Sequence, residues 1–189
     1  SMQDLQKIIN QHIENGLYPG VEWKINYKGN IFQGKSGYLN LANKQPIVTN
    51  TIYRIWSMTK PIISLVILQL IEENKMKLDE LITDFLPQFE NLKVLRNKNS
   101  DISDVVDIVR MPTVKDLLSH TAGFTYNFLG DPVGREYDHV KLFQSEVTTL
   151  EDEINLLSTL PLLCQPSTKW VYSVSVDILA RIIEVVTKN

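Results

Sequence analysis

Two residues near the first third of the chain have the types and the spacing of a nucleophile and its base. Ser57 and Lys60 stand three positions apart in the stretch SMTK. Residues at this spacing share one face of a helix, so the lysine amine can reach the serine hydroxyl. Desolvation lowers the pKa of a lysine, and a neutral amine can accept the serine proton. The pair is therefore a candidate for a serine nucleophile with a lysine as its base.

The position of this tetrapeptide supports the prediction more than the pattern does. A chain with this many serines and lysines contains about one such pair by chance. Pro61 follows directly, and proline is tolerated in a helix only within the first turn, so the apolar helix over residues 61–74 should begin near Ser57. The positive end of the helix dipole would favour an alkoxide on Ser57. The alternative is a helix-capping serine followed by a surface lysine, which the local sequence alone favours.

Two further segments stand in the same order as the motifs of a known family. Residues 117–124 read LLSHTAGF, and residues 170–173 read WVYS. Together with WSMTKP at residues 56–61, they resemble the serine β-lactamase-like hydrolases. That family includes class C β-lactamases, D-Ala-D-Ala peptidases and β-lactamase-like carboxylesterases. The resemblance spans residues 3–188 and rests on these separated motifs.

The resemblance implies a role for each of three residues. Ser57 matches the family's acylated nucleophile and Lys60 its partner base. Tyr172 matches the tyrosine whose hydroxyl bridges serine, lysine and leaving group during proton transfer. The chemistry is consistent, since a tyrosine beside a cation has a lowered pKa and can transfer a proton. Taken by itself, Tyr172 would be an ordinary aromatic residue between a loop and a helix. The backbone N–H of Ser57 would supply half of an oxyanion hole.

Two departures from the family pattern affect the expected substrate and fold. The lactamase branch carries Tyr-x-Asn, whereas Val174 stands at the Asn position and offers no polar group. The chain thus looks more like the esterase branch. Family members also carry a later Lys/His-Thr/Ser-Gly strand that donates the second oxyanion N–H, and no such motif follows Tyr172. The expected fold is α+β and β-lactamase/transpeptidase-like, an antiparallel sheet flanked by helices plus a helical region, with the C-terminal strands missing.

The opening of the chain predicts the elements of a small sheet. A helix over residues 4–16 precedes a hairpin of strands 21–28 and 31–35, joined by a two-residue turn. We predict that residues 1–56 form the N-terminal helix and hairpin of the α/β part. Residues 57–189 then form a mainly helical region that carries the S-x-x-K and tyrosine motifs. A hairpin without neighbouring strands leaves an exposed edge, so self-association through that edge is possible.

The remaining elements are predicted from apolar periodicity and capping residues. The helix over residues 61–74 is apolar on almost every side, which predicts a position at the centre of a domain. Other helices are predicted over residues 78–86, from Thr113 with Asp116 as capping partner, over 150–160 and over 175–187. Residues 92–111 are predicted to be a loop, and residues 124–147 receive no assignment.

Composition excludes several other functions. The net charge is −3 and no stretch is rich in Lys and Arg, which argues against a nucleic-acid or anionic-membrane partner. The single cysteine, Cys164, excludes an intrachain disulfide and zinc sites built on paired cysteines, and is expected to be a semi-buried apolar residue. We expect no transmembrane segment and no signal peptide, and the cellular location stays open.

Histidines offer a different kind of base. His120 could act as a general base in another class of hydrolase. In the family that the chain resembles, its motif is a structural turn, and this interpretation is preferred. His139 is expected at the surface, and no histidine stands at metal-ligand spacing from the acidic residues.

Together these observations predict a serine hydrolase that forms an acyl-enzyme on Ser57 without a metal or cofactor. The expected substrate is a small-molecule ester, with a β-lactam or peptide as second choice. The alternative is a non-catalytic or truncated module that keeps the fold and has a binding or scaffolding role.

Overall fold

A computed structural model describes residues 1–188 and divides the chain into two compact units. The first unit is Ser1–Arg54, and the second begins at Ile55. The sequence predicts a division after residue 56, so the observed boundary lies two residues earlier.

The first unit is a helix beside a small antiparallel sheet. Helix α1 (Met2–Glu14) begins with a capping box between Ser1 and Asp4. The strands β1 (Gly20–Tyr27), β2 (Asn30–Asn40) and β3 (Gln45–Pro46) lie in that order in the sheet. The short β3 is an addition to the predicted hairpin. Within residues 1–188, β1 pairs on one side only, and self-association through its edge stays a prediction.

The second unit is mainly helical and contains six helices and a two-stranded sheet within its described residues. The helices are α2 (Thr59–Glu72), α3 (Ile82–Phe85), α4 (Val114–Leu118), α5 (Pro132–His139), α6 (Leu150–Ser158) and α7 (Ser175–Thr187). The strands β4 (Lys93–Leu95) and β5 (Val105–Asp107) pair antiparallel. The fold is the expected α+β arrangement of antiparallel strands and helices.

Helix α7 lies at the centre of the core of this unit. Its residues Ile178, Leu179 and Ile182 are completely buried, and α7 contacts α2, α4 and α6. The structure gives α7 the bounds that apolar periodicity predicts. Because this helix is fixed by packing on several sides, the segment that leads into it is also fixed.

The prediction that α2 is buried on all sides is wrong for the described chain. Only Ile67 and Leu70 of this helix are buried. The side chains of Ile62, Leu65 and Leu68 are 53%, 56% and 47% exposed. An apolar composition shows that a helix can be buried on every side, but the neighbours that are present decide which sides are.

Two segments that the sequence leaves as loops contain short regular elements. Strands β4 and β5 lie within residues 92–111, and α5 lies within residues 124–147. The predicted helix over residues 78–86 is shorter, since α3 covers only Ile82–Phe85 and a 3₁₀ helix starts at Pro87. Three-residue strands and helices of one or two turns are too short for periodicity to identify. None of the helices in residues 1–188 has the length and apolar character that a membrane crossing requires.

Candidate active site

Ser57 lies where a tight turn passes into the first turn of α2. Residues Trp56–Met58 form a 3₁₀ helix, and α2 follows at Thr59, which confirms that the helical segment begins near Ser57. Trp56 has a φ of 48°, in the left-handed region, and is 79% exposed. Within residues 1–188, the N–H of Ser57 donates to no backbone or side-chain acceptor. Hydroxyl and N–H groups at a helix start are well placed to meet a polarised carbonyl.

The three predicted residues lie together around one atom, the Oγ of Ser57. The Lys60 Nζ donates to this oxygen at 3.2 Å, and the Tyr172 hydroxyl lies 3.2 Å from it. Ser57 and Tyr172 are 115 residues apart in the chain, so only the fold of the second unit joins them. Ser57 is exposed, whereas Lys60 and Tyr172 are half-buried.

His120 holds the segment that carries Tyr172. Its backbone carbonyl accepts from the N–H of Val171 at 2.9 Å, and its Nδ1 accepts from the N–H of Ser173 at 3.2 Å. Its ring centroid lies 5.2 Å from that of Tyr172. These two hydrogen bonds fix the residues on either side of the tyrosine. The geometry favours the structural role of His120 over a role as general base.

The hydrogen bonds of His120 require its neutral form. An Nδ1 that accepts from a backbone N–H carries no proton, so the proton of the neutral ring lies on Nε2. Burial lowers the pKa of His120, and the positive charge of Lys60 lowers it further. The neutral ring is therefore the stable form near pH 7.

The electrostatics of Lys60 differ from the expectation. Partial burial works to lower the pKa of Lys60, but the phenolic oxygens of Tyr172 and Tyr126 outweigh it, and the pKa is raised. The expected neutral amine is therefore wrong for this arrangement. Hydrogen bonding by Ser57 and then the neighbouring Lys60 lower the pKa of Tyr172. The tyrosine, rather than the lysine, is the group whose proton is easier to remove than usual.

A second tyrosine, which the sequence analysis did not identify, faces the same lysine. The Lys60 Nζ lies 5.5 Å from the ring centroid of Tyr126 and 5.1 Å from that of Tyr172. Burial raises the pKa of Tyr126, although Lys60 opposes this. Tyr126 thus stays a neutral phenol beside the more acidic Tyr172. It lies in the unassigned stretch 124–147, where no periodic pattern gave it a position.

A pocket of about 560 Å³ opens beside these residues, and we call it the Ser57 pocket. Its walls are mostly apolar and aromatic, and include Ile63, Phe128, Leu142, Phe143, Val174 and Val176. Among the described residues that line it, only Lys60 and Asp177 have charged side chains. Burial raises the pKa of Asp177, which lies in the first turn of α7. An acidic residue between the apolar Val176 and Ile178 was the sequence signal for this position.

Within residues 1–188, no group of three or more His, Cys, Asp or Glu side chains lies close enough to hold a metal ion. The polar groups around the Ser57 Oγ are the Tyr172 phenol and the Lys60 ammonium.

Comparison with known proteins agrees with the geometry. A family model described as "Beta-lactamase" matches residues 5–189. The esterase EstB of Burkholderia gladioli is 28% identical over 157 residues, which is 82% of this chain and 37% of that protein. The lovastatin esterase of Penicillium rubens is 30% identical over 147 residues, which is 77% of this chain and 36% of that protein.

Solved structures give the same result. The structure of EstCE1, described as a hydrolase with promiscuous acyltransferase activity, superimposes with a TM-score of 0.77 and 28% identity. The match covers 100% of this chain and 47% of the EstCE1 chain. The chain thus spans less than half the length of the relatives that it matches.

Proposed function

Because the chain belongs to the beta-lactamase family, we propose that it carries the nucleophilic half of a serine hydrolase that forms an acyl-enzyme on Ser57. The observation that carries this proposal is the convergence of Lys60 and Tyr172 on the Ser57 Oγ, each at 3.2 Å. A nucleophile within hydrogen-bond distance of its base is the arrangement that covalent catalysis requires. Several relatives are named for esterase or acyltransferase activity, which supports the same reaction class.

In the proposed acylation step, Tyr172 accepts the proton of Ser57. The Lys60 ammonium lies beside both oxygens and stabilises the tyrosine in its ionised form. As the Ser57 Oγ bonds to the substrate carbonyl carbon, its proton passes to the Tyr172 oxygen. The N–H of Ser57 is free to donate to the developing oxyanion.

The acyl-enzyme then forms and is hydrolysed by the same groups. The bond between the carbonyl carbon and the leaving oxygen breaks, and Tyr172 returns its proton to that oxygen. In deacylation, Tyr172 takes a proton from water while the water oxygen bonds to the acyl carbon. The bond to Ser57 breaks, the proton passes to the Ser57 Oγ, and a carboxylic acid leaves.

The walls of the Ser57 pocket favour an ester as the substrate. Val174 lines the pocket and is buried, so the position after Ser173 offers no amide to a lactam or peptide. The remaining walls are apolar and aromatic, and they suit an uncharged acyl group. A β-lactam or a peptide is the second choice.

The proposal is tested by covalent labelling with a fluorophosphonate and measurement of intact mass. We expect one adduct on the unmodified protein, none on Ser57→Ala, and one on the control Ser103→Ala, which removes an exposed hydroxyl. An adduct that persists in Ser57→Ala would overturn the assignment of the nucleophile. A folded protein that never reacts would support the alternative, a binding or scaffolding module.

A further inference from the structure

The second unit contains another concave surface, which has no lining residue in common with the Ser57 pocket. This surface, the basic cleft, has a volume of about 940 Å³. Its floor includes the side chains of Val94, Leu95, Leu163 and Cys164. Its rim carries four cationic side chains, those of Arg96, Lys98, Arg135 and Lys169.

The charges of the basic cleft are not balanced by its own acidic residues. Among the described lining residues, Asp131 is the only one with a carboxylate. That carboxylate already accepts hydrogen bonds from the Thr125 hydroxyl and from the N–H of Gly134. The lining therefore carries four cations and one engaged carboxylate, and Asp104, outside the lining, offsets the charge of Arg96, in a chain whose net charge is −3. A cluster of one sign creates a local positive potential that attracts anions.

The four cations differ in how they are held. Arg96 Nε donates to Asp104 at 2.8 Å, and Arg135 donates to the Gly130 carbonyl. Lys98 and Lys169 form no ion pair within residues 1–188, so both ammonium groups can contact a ligand. Guanidinium groups match phosphate oxygens in pairs, whereas lysines act as compact point charges. This mixture suits an anion with several oxygens and more than one negative charge.

The apolar floor of the basic cleft indicates that its ligand also has an apolar part. Val94 is 1% exposed and Leu95 is 3% exposed, and Leu163 and Cys164 are half-buried beside them. A purely ionic ligand would leave Leu163, Cys164 and the lining residue Leu129, which is 46% exposed, in contact with water. A ligand with an apolar or aromatic body would cover them and gain free energy from the contact.

We propose that the basic cleft binds a small molecule that carries a phosphoryl group on an apolar or aromatic body. The phosphoryl oxygens contact Lys98, Lys169 and the guanidinium of Arg135, and the body lies on the floor near Leu163 and Cys164. The cleft shares no residue with the Ser57 pocket, so this binding is independent of the hydrolase chemistry.

The single cysteine provides a direct measurement of occupancy. Cys164 lies on the floor of the basic cleft, and burial raises the pKa of its thiol, so alkylation by iodoacetamide is slow. Phenyl phosphate carries both features of the proposed ligand, and benzyl alcohol is an uncharged aromatic compound of similar ring size without a phosphoryl group. We expect phenyl phosphate to slow alkylation of Cys164 at least threefold at saturation, and benzyl alcohol to leave the rate unchanged.

Alkylation rates measured over a range of phenyl phosphate concentrations also identify the residues that bind the phosphoryl group. The double variant Lys98→Gln/Lys169→Gln is expected to raise the dissociation constant of phenyl phosphate at least tenfold. The control Lys7→Gln/Lys115→Gln makes the same change in net charge at exposed positions outside the cleft, and should change the constant less than twofold. Ser57→Ala should also bind normally.

Three outcomes would overturn the proposal. The first is that phenyl phosphate at about 10 mM does not change the alkylation rate. This concentration is about equal to the dissociation constant of the weakest binding that would still be useful. The second is equal protection by benzyl alcohol, and the third is equal weakening in both double variants. Calorimetric titration of phenyl phosphate on the same variants separates true loss of binding from an effect on thiol reactivity.

Discussion

The Ser57 pocket and the basic cleft lie in the same unit, but their charged groups are arranged in opposite ways. In the Ser57 pocket, an ammonium and a phenol contact a single oxygen at 3.2 Å, and each shifts the pKa of the other. In the basic cleft, four cations lie around a rim without a shared partner. The first arrangement can move a proton at one atom, whereas the second provides only a field that attracts anions.

This difference also predicts how each site responds to substitution. Groups that act on one atom depend on one another, so the loss of one of them disables the set. Where several cations contribute separately to a positive potential, removal of one of them weakens anion binding by a smaller step. The largest effects of substitution are therefore expected in the Ser57 pocket.

Removal of the Tyr172 hydroxyl should have the largest effect on catalysis. Tyr172→Phe keeps the ring beside His120 but removes the proposed proton acceptor, so the rate of acylation should fall about 10²–10⁴-fold. Hydrolysis of p-nitrophenyl butyrate measures this loss. Tyr126→Phe is the matched control, because it removes the other phenol near Lys60 and should cost less than tenfold. Equal losses in both variants would contradict the distinct role of Tyr172.

The pH dependence of the reaction should report the same phenol. The lowered pKa of Tyr172 means that its ionised form appears below the usual range near 10. Activity should therefore rise with pH, by up to about tenfold per unit, and level off as Tyr172 ionises. The profile of kcat/KM measures this limb for the free enzyme. A profile of the same shape in Tyr172→Phe would assign the limb to a different group.

Loss of His120 should have an intermediate effect, because it acts through Tyr172. His120→Ala removes the acceptor for the Ser173 N–H and the ring beside Tyr172, and we expect kcat to fall about tenfold with a smaller change in KM. His139→Ala, at an exposed position, is the control and should leave kcat unchanged.

The pH dependence of stability separates positioning by His120 from a role as base. Its folded-state pKa is lowered below the usual value of about 6.5, so the unfolded chain binds the proton more readily. Stability from this group is complete above pH 6.5 and is lost as the pH falls below it. Urea unfolding between pH 5 and 8 should show this loss in the unmodified protein and not in His120→Ala. An identical pH dependence in the two proteins would show that protonation of His120 does not affect stability, against its positioning role.

The sequence predicted the residues of the Ser57 pocket better than their electrostatics. Ser57, Lys60 and Tyr172 lie in motifs that can be identified one at a time, and the structure places them around one oxygen. The direction of the Lys60 pKa shift was wrong because it depends on two phenols, Tyr126 and Tyr172, that are distant in the chain. A local pattern shows that a lysine is partly buried, but not which groups surround it.

The same limit applies to the fold. Helix α7 and the capping box of Thr113 with Asp116 are local features, and both were predicted from local patterns. Strands β4 and β5 have three residues each and exist because they pair with one another. The cations of the basic cleft come from three separated segments, so no run of Lys and Arg indicates the cleft in the sequence.

The smallest effect on catalysis is expected from an ion pair that belongs to neither site and joins a buried carboxylate to an exposed guanidinium. Asp116 is 4% exposed and accepts from both terminal nitrogens of Arg110, at 2.7 and 3.0 Å, and from the N–H of Thr113 at 2.9 Å. Asp116→Asn should lower the free energy of unfolding by about 2 kcal/mol, because it weakens hydrogen bonds to a charged group. Below the new midpoint of unfolding, kcat should stay within about twofold, since Asp116 touches no reacting atom.

A surface pair and a pH series test whether burial is the reason. Asp107→Asn breaks the exposed pair with Lys93 and should lower the free energy of unfolding by less than about 1 kcal/mol. Burial works to raise the pKa of Asp116, but Arg110 and Thr113 outweigh it and the pKa is lowered. Its contribution is therefore complete above about pH 4 and is lost as the pH falls through the lowered value. The stability difference between the unmodified protein and Asp116→Asn should shrink below that pH. A large fall in kcat would instead show that the Asp116–Arg110 pair affects the Ser57 pocket through α4 and His120. Charged residues outside the two sites would then also influence catalysis in this unit.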